Sequence, residues 1–242
     1  MNLSDLYNIS DYKNEFGMLF NNNALYLLSI LDDNSIDLIV TDPPYKTTKR
    51  GTTGNTGGML LKENVKKGKI FEHNEINIKD YSNQLYRILK QNSHCYIMTN
   101  HINLIEILNE MTNAGFHFIK SIIWNKGNKI MGQFYMSQFE YILFFRKGKA
   151  KKINNCGTSD IISIPNKKTK DEKGNNLHDT EKPVELMKIL IENSSNEQDI
   201  VLDPFVGIGA TCIASQELNR RFVGCELDEN YFNIAKNRLK NL

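Results

Sequence analysis

Ile200-Val201-Leu202-Asp203-Pro204-Phe205-Val206-Gly207-Ile208-Gly209-Ala210-Thr211 reads as a strand, a glycine-bearing turn and the start of a helix. The apolar run at 199–203 has the length of a buried strand, and a helix is expected from about 208. Gly207 and Gly209 let a ligand approach the backbone closely. The helix N-terminus suits an anionic group such as a carboxylate. Downstream, Phe222-Val223-Gly224-Cys225-Glu226 is a second strand that ends in an acid. An acid at that point is placed to bind ribose hydroxyls. The third glycine of the dinucleotide fingerprint is missing, because position 212 is Cys. A nucleoside ligand without a pyrophosphate therefore fits the turn better than a nicotinamide or flavin dinucleotide.

A second strand-to-turn junction lies far upstream. Ile36-Asp37-Leu38-Ile39-Val40-Thr41 is a buried-strand run, and Asp42-Pro43-Pro44-Tyr45 follows it. These four residues suit the gripping of a planar exocyclic amine. Asp42 accepts a hydrogen bond from an N–H. Two prolines stiffen the turn and cannot donate, which leaves backbone carbonyls as acceptors. Tyr45 offers a flat face on which a base can stack. An aromatic amine is a poor nucleophile, since its lone pair is delocalised into the ring. Two acceptors on its hydrogens pull the nitrogen toward tetrahedral geometry and stabilise the positive charge that develops. Ligands of open α/β sheets sit outside the carboxyl ends of strands, where this motif falls.

The remaining elements alternate in the same style. A short strand is expected at 17–21 and a helix from Ala24 to Leu31. A helix is expected over 75–90, a strand from Cys95 to Thr99, and a helix from Ile102 to Ala114 ended by Gly115. Phe116 to Trp124 and Gln138 to Phe145 read as antiparallel strands near a sheet edge. Pro183 marks a helix start, and Glu229 to Leu239 a final helix.

The net charge of +2 hides an uneven distribution. Residues 46–70 hold seven Lys/Arg against one acid, and residues 146–173 hold nine against three, so the rest of the chain is acidic. Two basic segments on an acidic body suggest a polyanionic partner. Residues 46–70 form a long glycine-bearing loop that leaves directly from the Asp42 motif and is expected to act as a lid. The four cysteines form no Cys-x-x-Cys pair, which suggests no zinc site. No signal peptide and no run of transmembrane length is evident, so a cytoplasmic protein is expected.

Taken together, these motifs resemble the S-adenosylmethionine-dependent amino-methyltransferases of DNA. That family carries an Asp/Asn/Ser-Pro-Pro-Tyr/Phe catalytic motif and a Phe-x-Gly-x-Gly cofactor motif. Here the catalytic motif comes first, which resembles the family's β arrangement. His178-Asp179-Thr180-Glu181-Lys182-Pro183 is similar to the family's His-x-Thr-x-Lys-Pro, and Trp124-Asn125-Lys126 and Phe139 to Phe145 also look like family segments. The resemblance implies an α/β fold, doubly wound with a mostly parallel sheet and an antiparallel edge, of Rossmann-like methyltransferase type. The sheet would be circularly permuted, the strand at 17–21 standing beside the strand that ends at Glu226. It implies S-adenosyl-L-methionine as cofactor and Asp42, Pro43, Pro44 and Tyr45 as catalytic residues. Asp203, Pro204, Phe205, Gly207, Gly209, Thr211 and Glu226 would line the cofactor. His178, Thr180 and Lys182 would hold its methionine carboxylate end. Asn23 falls where the family commonly has an acid near the cofactor adenine.

The expected reaction is direct in-line methyl transfer to N6 of adenine in a short DNA site, with the base flipped out. Asp at the first motif position goes mostly with adenine in the family and Ser with cytosine. N4 of cytosine is the alternative, as is an RNA or protein-amide methyltransferase. The partner would be double-stranded DNA, with single-stranded DNA as another substrate form. A homodimer and a cognate restriction endonuclease in the same system are compatible with the resemblance, and no residue requires either. Residues 1–146 would form the catalytic half, 147–177 a target-recognition insertion, and 178–242 the cofactor half.

Overall fold

The computed structural model describes residues 1–44, 76–130, 135–170, 174 and 181–242. Tyr45, the loop 46–70, His178 and Thr180 lie outside the described residues. Among those described, nine strands form one sheet. They are β1 (Tyr12–Asn14), β2 (Gly17–Asn21), β3 (Ile36–Thr41), β4 (Leu89–Thr99), β5 (His117–Ile130), β6 (Ser137–Arg146), β7 (Ile161–Ser163), β8 (Ile200–Asp203) and β9 (Arg221–Glu226). Their spatial order is β1-β2-β9-β8-β3-β4-β6-β5-β7. The five strands β2, β9, β8, β3 and β4 are mutually parallel. Strand β6 is antiparallel to both β4 and β5, which gives the expected antiparallel edge.

The helices are α1 (Leu3–Ile9), α2 (Ala24–Ile30), α3 (Ile78–Ile88), α4 (Leu104–Asn113), α5 (Val184–Ser194), α6 (Ala210–Glu217) and α7 (Glu229–Lys240). Alternation along the strands sends side chains to two cores. Ile39, Ile97, Leu202 and Val223 meet Leu6 of α1, Leu27 of α2, Leu85 of α3 and Ile107 of α4 on one face. Leu38, Val40, Tyr96 and Val201 meet Leu186 and Leu190 of α5 and Ala214 of α6 on the other. Phe222 and Leu19 pack there on Phe232 and Leu239 of α7. Burial on both faces explains why the central strands are continuous apolar runs with no polar alternation.

Two connections run away from each other between β8 and β3. From β8 the chain goes to β9, whose outer neighbour is β2; from β3 it goes to β4 on the other side. The β8–β3 boundary is therefore the topological switch point, where a crevice opens at the carboxyl ends. The strand at 17–21 pairs in parallel with β9, Gly17 opposite Phe222 and Asn21 opposite Glu226, as the permuted sheet requires.

The structure adds two elements without a periodic signal in the sequence, α1 and β1. Both are short. Asn2 caps α1 by accepting from Asp5 N, and β1 returns antiparallel along β2. The stretch 147–177, expected as an insertion outside the core, also contributes structure. Its strand β7 pairs in parallel with β5 and buries Ile162. Strand β4 begins at Leu89, earlier than expected.

Candidate active site

The carboxyl ends of β3 and β8 are tied by one buried hydrogen bond. Thr41 Oγ1, on the last residue of β3, donates to Asp203 Oδ1 at 2.7 Å. Phe205 N donates to the same oxygen at 3.0 Å, and the Thr211 hydroxyl also hydrogen-bonds this carboxylate. Burial pushes the Asp203 carboxyl up to about 6, against these hydrogen bonds, which favour the charged form. Asp203 and Thr211 are both buried, as is Pro204. They shape the turn from beneath; three donors already use the carboxylate.

Gly207 has φ +56° and Gly209, the N-cap of α6, has φ +95°. Both lie in the left-handed region that favours glycine. A Cβ on Gly209 would also stand 3.2 Å from the Cβ of Ala235 on α7. Gly207 N donates to Glu226 Oε2 at 2.7 Å, and Asp228 N donates to Glu226 Oε1 at 2.9 Å. Burial pushes the Glu226 carboxyl up to about 7. Two amides leave further lone pairs of that carboxylate available for ligand hydroxyls. Phe205 is part-buried and meets the Tyr81 ring edge-on at 5.5 Å between centroids. An apolar ring, a glycine turn and an acid at the end of the next strand suit a nucleoside. Asn23 stands beyond the end of β2 as the N-cap of α2, its side chain accepting from Leu25 N at 2.8 Å. That is the cap role of an Asn before a helix.

Asp42 opens the turn after β3, and its surroundings were not legible as a set. Its Oδ2 is ion-paired and hydrogen-bonded to Lys182 Nζ. Lys182 in turn lies 3.5 Å from Glu140 Oε2 on β6. Glu140 Oε1 takes a hydrogen bond from Lys126 Nζ on β5, and that ammonium stands 5.0 Å from the centroid of Trp124. The result is a chain of alternating charges, Asp42–Lys182–Glu140–Lys126. The Lys182 side chain is 5% exposed, Lys126 11% and Glu140 17%, so water screens the chain little. Asp42 Oδ1 is buried and has no hydrogen-bond partner among the described residues. The same holds for the hydroxyl of Tyr81 and for Glu140 Oε2, which meets Lys182 as an ion pair and not as a hydrogen bond. Burial raises the Asp42 carboxyl, with Lys182 as the main opposing influence and Glu140 pushing it further up. Burial also acts to raise Glu140, but the two ammoniums at Lys182 and Lys126 outweigh it and hold Glu140 below its usual range.

Thus the structure brings Asp42, Asp203, Phe205, Gly207, Gly209 and Glu226 to adjoining strand ends. It places Lys182 against Asp42. Pro43 is buried and Pro44 part-buried. Trp124 is buried, with Nε1 donating to Ile164 O at 2.9 Å, and Tyr135 is exposed to solvent. Glu140 and Lys126 had one weak signal in the sequence: charged residues set within β-branched and aromatic strands, where a charge is costly unless paired.

A doubly wound sheet with these groups gathered at its switch point places the chain in the Rossmann-like class. The chain belongs to the N6/N4 methyltransferase family described as DNA methylase, whose model matches residues 36–237. The Type II methyltransferase M2.DpnII of Streptococcus pneumoniae is 30% identical over 92% of this chain and 89% of its own length. The Type II methyltransferase M.HpaI of Haemophilus parainfluenzae is 32% identical over 90% of this chain and 72% of its own. Among solved structures, an M1.HpyAVI–SAM complex matches with a TM-score of 0.68 at 24% identity, covering 92% of this chain and 99% of that one. The cytosine-N4-specific PvuII DNA methyltransferase matches with a TM-score of 0.71 at 16% identity, covering 93% and 86%. At such identities these two structures speak to the fold. The chain is a DNA methyltransferase by family, and among its described residues no helix is long and apolar enough to cross a membrane.

Proposed function

We propose that this chain methylates N6 of adenine within a short DNA sequence, on a base flipped out of the duplex. The observation that carries the reading is Asp42 Oδ1: a buried acceptor without a partner among the described residues, at the carboxyl end of the strand beside the glycine turn. A buried polar atom left without a partner costs stability and marks a place where a ligand supplies the missing bond. An amino N–H is a donor that fits it.

S-adenosyl-L-methionine, when bound, supplies an electrophilic methyl group on a sulfonium. The residues that would hold it are Glu226, toward the ribose hydroxyls, the Gly207 to Gly209 turn and Phe205. Asn23, His178 and Thr180 belong to the same reading. Asp42 Oδ1 and the carbonyl of Pro43 accept from the two amino hydrogens. With both hydrogens held, the nitrogen lone pair would be freed from conjugation with the ring and available to the methyl group that the cofactor supplies. One amino proton leaves after transfer, and Asp42 lies in reach to take it. Tyr45 would stack on the flipped base. Holding nucleophile, methyl and leaving group in line supplies much of the rate.

Asp at the first motif position supports adenine over cytosine. The designation of the relatives as Type II methyltransferases supports a partner endonuclease in the same system. A homodimer on the DNA is part of the same proposal and is read by light scattering with and without a duplex. Long-read sequencing of DNA from a methylation-free host expressing the chain tests the main reading. N6-methyladenine in one recurrent motif is expected. N4-methylcytosine in its place would overturn the choice of base, and label found only in RNA or protein would overturn DNA as substrate.

A further inference from the structure

We propose that Glu140 is a positioning residue for methyl transfer: acting through Lys182, it fixes the Asp42 carboxylate so that Oδ2 is held and Oδ1 alone is presented to the amine. The proposal rests on the reading of Asp42 as the amine acceptor given above.

A carboxylate on a free side-chain torsion presents either oxygen to a ligand. Here the two oxygens of Asp42 differ. Oδ2 is engaged by Lys182, and Oδ1 is buried without a partner among the described residues. The direction of Oδ1 is therefore set by where Lys182 is held. Lys182 sits just before Pro183, the N-cap of α5, and its ammonium is shared between Asp42 and a second carboxylate. That carboxylate is Glu140, whose Oε2 lies 3.5 Å away as an ion-pair partner. Glu140 is itself fixed from the other side by Lys126, whose ammonium lies over the Trp124 ring. That indole is buried and pinned to Ile164 O. The chain of contacts thus runs from a rigid strand pair, β5 and β6, to the turn after β3. Its members lie on four separate segments, so the alignment exists only in the folded protein.

Charge makes the same assignment. Two ammoniums without Glu140 between them would repel within a poorly screened site, and Lys182 would move toward Asp42. Lys182 would then cover both oxygens of Asp42. With Glu140 in place the ammonium is shared, and one oxygen of Asp42 stays open. The groups that face Asp42 among the described residues are Lys182, Glu140 on β6, Lys126 on β5, Asp203 on β8 and the Tyr81 phenol on α3. Of these, only the two lysines favour an ionised Asp42.

The test is single-turnover methyl transfer on unmethylated duplex DNA with tritiated cofactor, followed across pH, for wild type, Glu140→Gln, Glu140→Asp and Lys182→Met. Calorimetry with S-adenosylhomocysteine is the second readout. For Glu140→Gln the rate is expected to fall on the order of 10²-fold, as for a misplaced catalytic group, with S-adenosylhomocysteine affinity unchanged. Its acid limb should move to lower pH, because a negative charge that raises Asp42 is gone. Lys182→Met should move the acid limb the other way, to higher pH. Glu140→Asp keeps the charge with a shorter reach, so an intermediate rate and an unshifted limb are expected; it carries the test if Glu140→Gln does not fold. A wild-type rate in Glu140→Gln would overturn the proposal. So would a slow variant whose pH profile keeps its shape, since that is the mark of a merely structural residue. A wild-type enzyme that transfers no methyl to DNA, or an active Asp42→Ala, would instead overturn the underlying reading.

Discussion

The two ends of α5 carry buried polar clusters of opposite character. At its start, Lys182 joins Asp42, Glu140 and Lys126 at the carboxyl edge of the sheet. At its end, Ser194 joins His94 and Tyr96 of β4. The second cluster is neutral and complete. His94 Nε2 faces the carbonyl of Lys151 at 3.1 Å and must donate to it. Nδ1 then accepts from Ser194 Oγ at 2.8 Å, and Ser194 accepts from the Tyr96 hydroxyl at 2.7 Å. One tautomer satisfies every atom, and Phe144 covers His94 edge-on and Tyr96 face-on. The first cluster keeps four charges and leaves two acceptors, Asp42 Oδ1 and Glu140 Oε2, without a hydrogen-bond partner among the described residues. Both cost desolvation, but only one has a direction left for a ligand. A satisfied buried network holds segments together, whereas an unsatisfied one at a strand-end crevice points to chemistry.

Substitutions at the two ends break this contrast in different observables. The largest effect is expected from Asp42→Ala. Methyl transfer should fall by on the order of 10³-fold or more, while S-adenosylhomocysteine binding measured by calorimetry stays near wild type. Retained activity would put the chemistry elsewhere.

His94 sharpens the other side. Burial lowers its pKa from 6.5 to about 4, so the native ring stays neutral while the unfolded chain takes up a proton. Stability is therefore fully present above about 6.5 and is lost as pH falls toward about 4. The loss should reach about 3 kcal/mol, read from denaturant midpoints at a series of pH values. A His94→Leu variant should lose that pH dependence and still transfer methyl at neutral pH. A collapse of its transfer rate in folded protein would remove the distinction between the two clusters.

Glu226 comes next. The carboxyl titrates near 7 and binds hydroxyls best when ionised, so cofactor affinity should weaken as pH falls through that value. Glu226→Gln should remove the pH dependence and cost about 1.5–3 kcal/mol of binding, measured with S-adenosylhomocysteine. A pH-independent affinity in wild type would take the ribose role away from Glu226.

The smallest effect is expected from Thr41→Val, which deletes the 2.7 Å bond to Asp203. Other donors remain on Asp203, so the cost in thermal or denaturant stability should be about 1 kcal/mol. A larger loss would show that the β3–β8 tie is a main support of the crevice.

Much of this architecture was readable from local pattern. The strands at 36–41 and 200–203 show as apolar runs, and the turn from β8 into α6 shows as the glycines at 207 and 209. The neighbour of β9 came through the family resemblance, which places the strand at 17–21 beside it. The short α1 and β1 were not readable, since three- and seven-residue elements carry too little periodicity. Strand β7 was hidden for the same reason, inside a polar stretch that gains order only from pairing with β5.

The sequence by itself determined the class of sheet, the order of its motifs and the residues that end its central strands, because those depend on period and on backbone freedom at single positions. Only the tertiary structure decided which charges meet. Asp42, the Lys126–Glu140 pair of β5 and β6, and Lys182 are separated by long stretches of chain, and no spacing rule relates the three. Their pairing follows from sheet order, which sets β6 and β5 beyond β4 and brings α5 over the face of β3. Once there, poor screening makes each charge depend on its neighbours. That is why the open oxygen of Asp42 is a property of the fold and not of the motif.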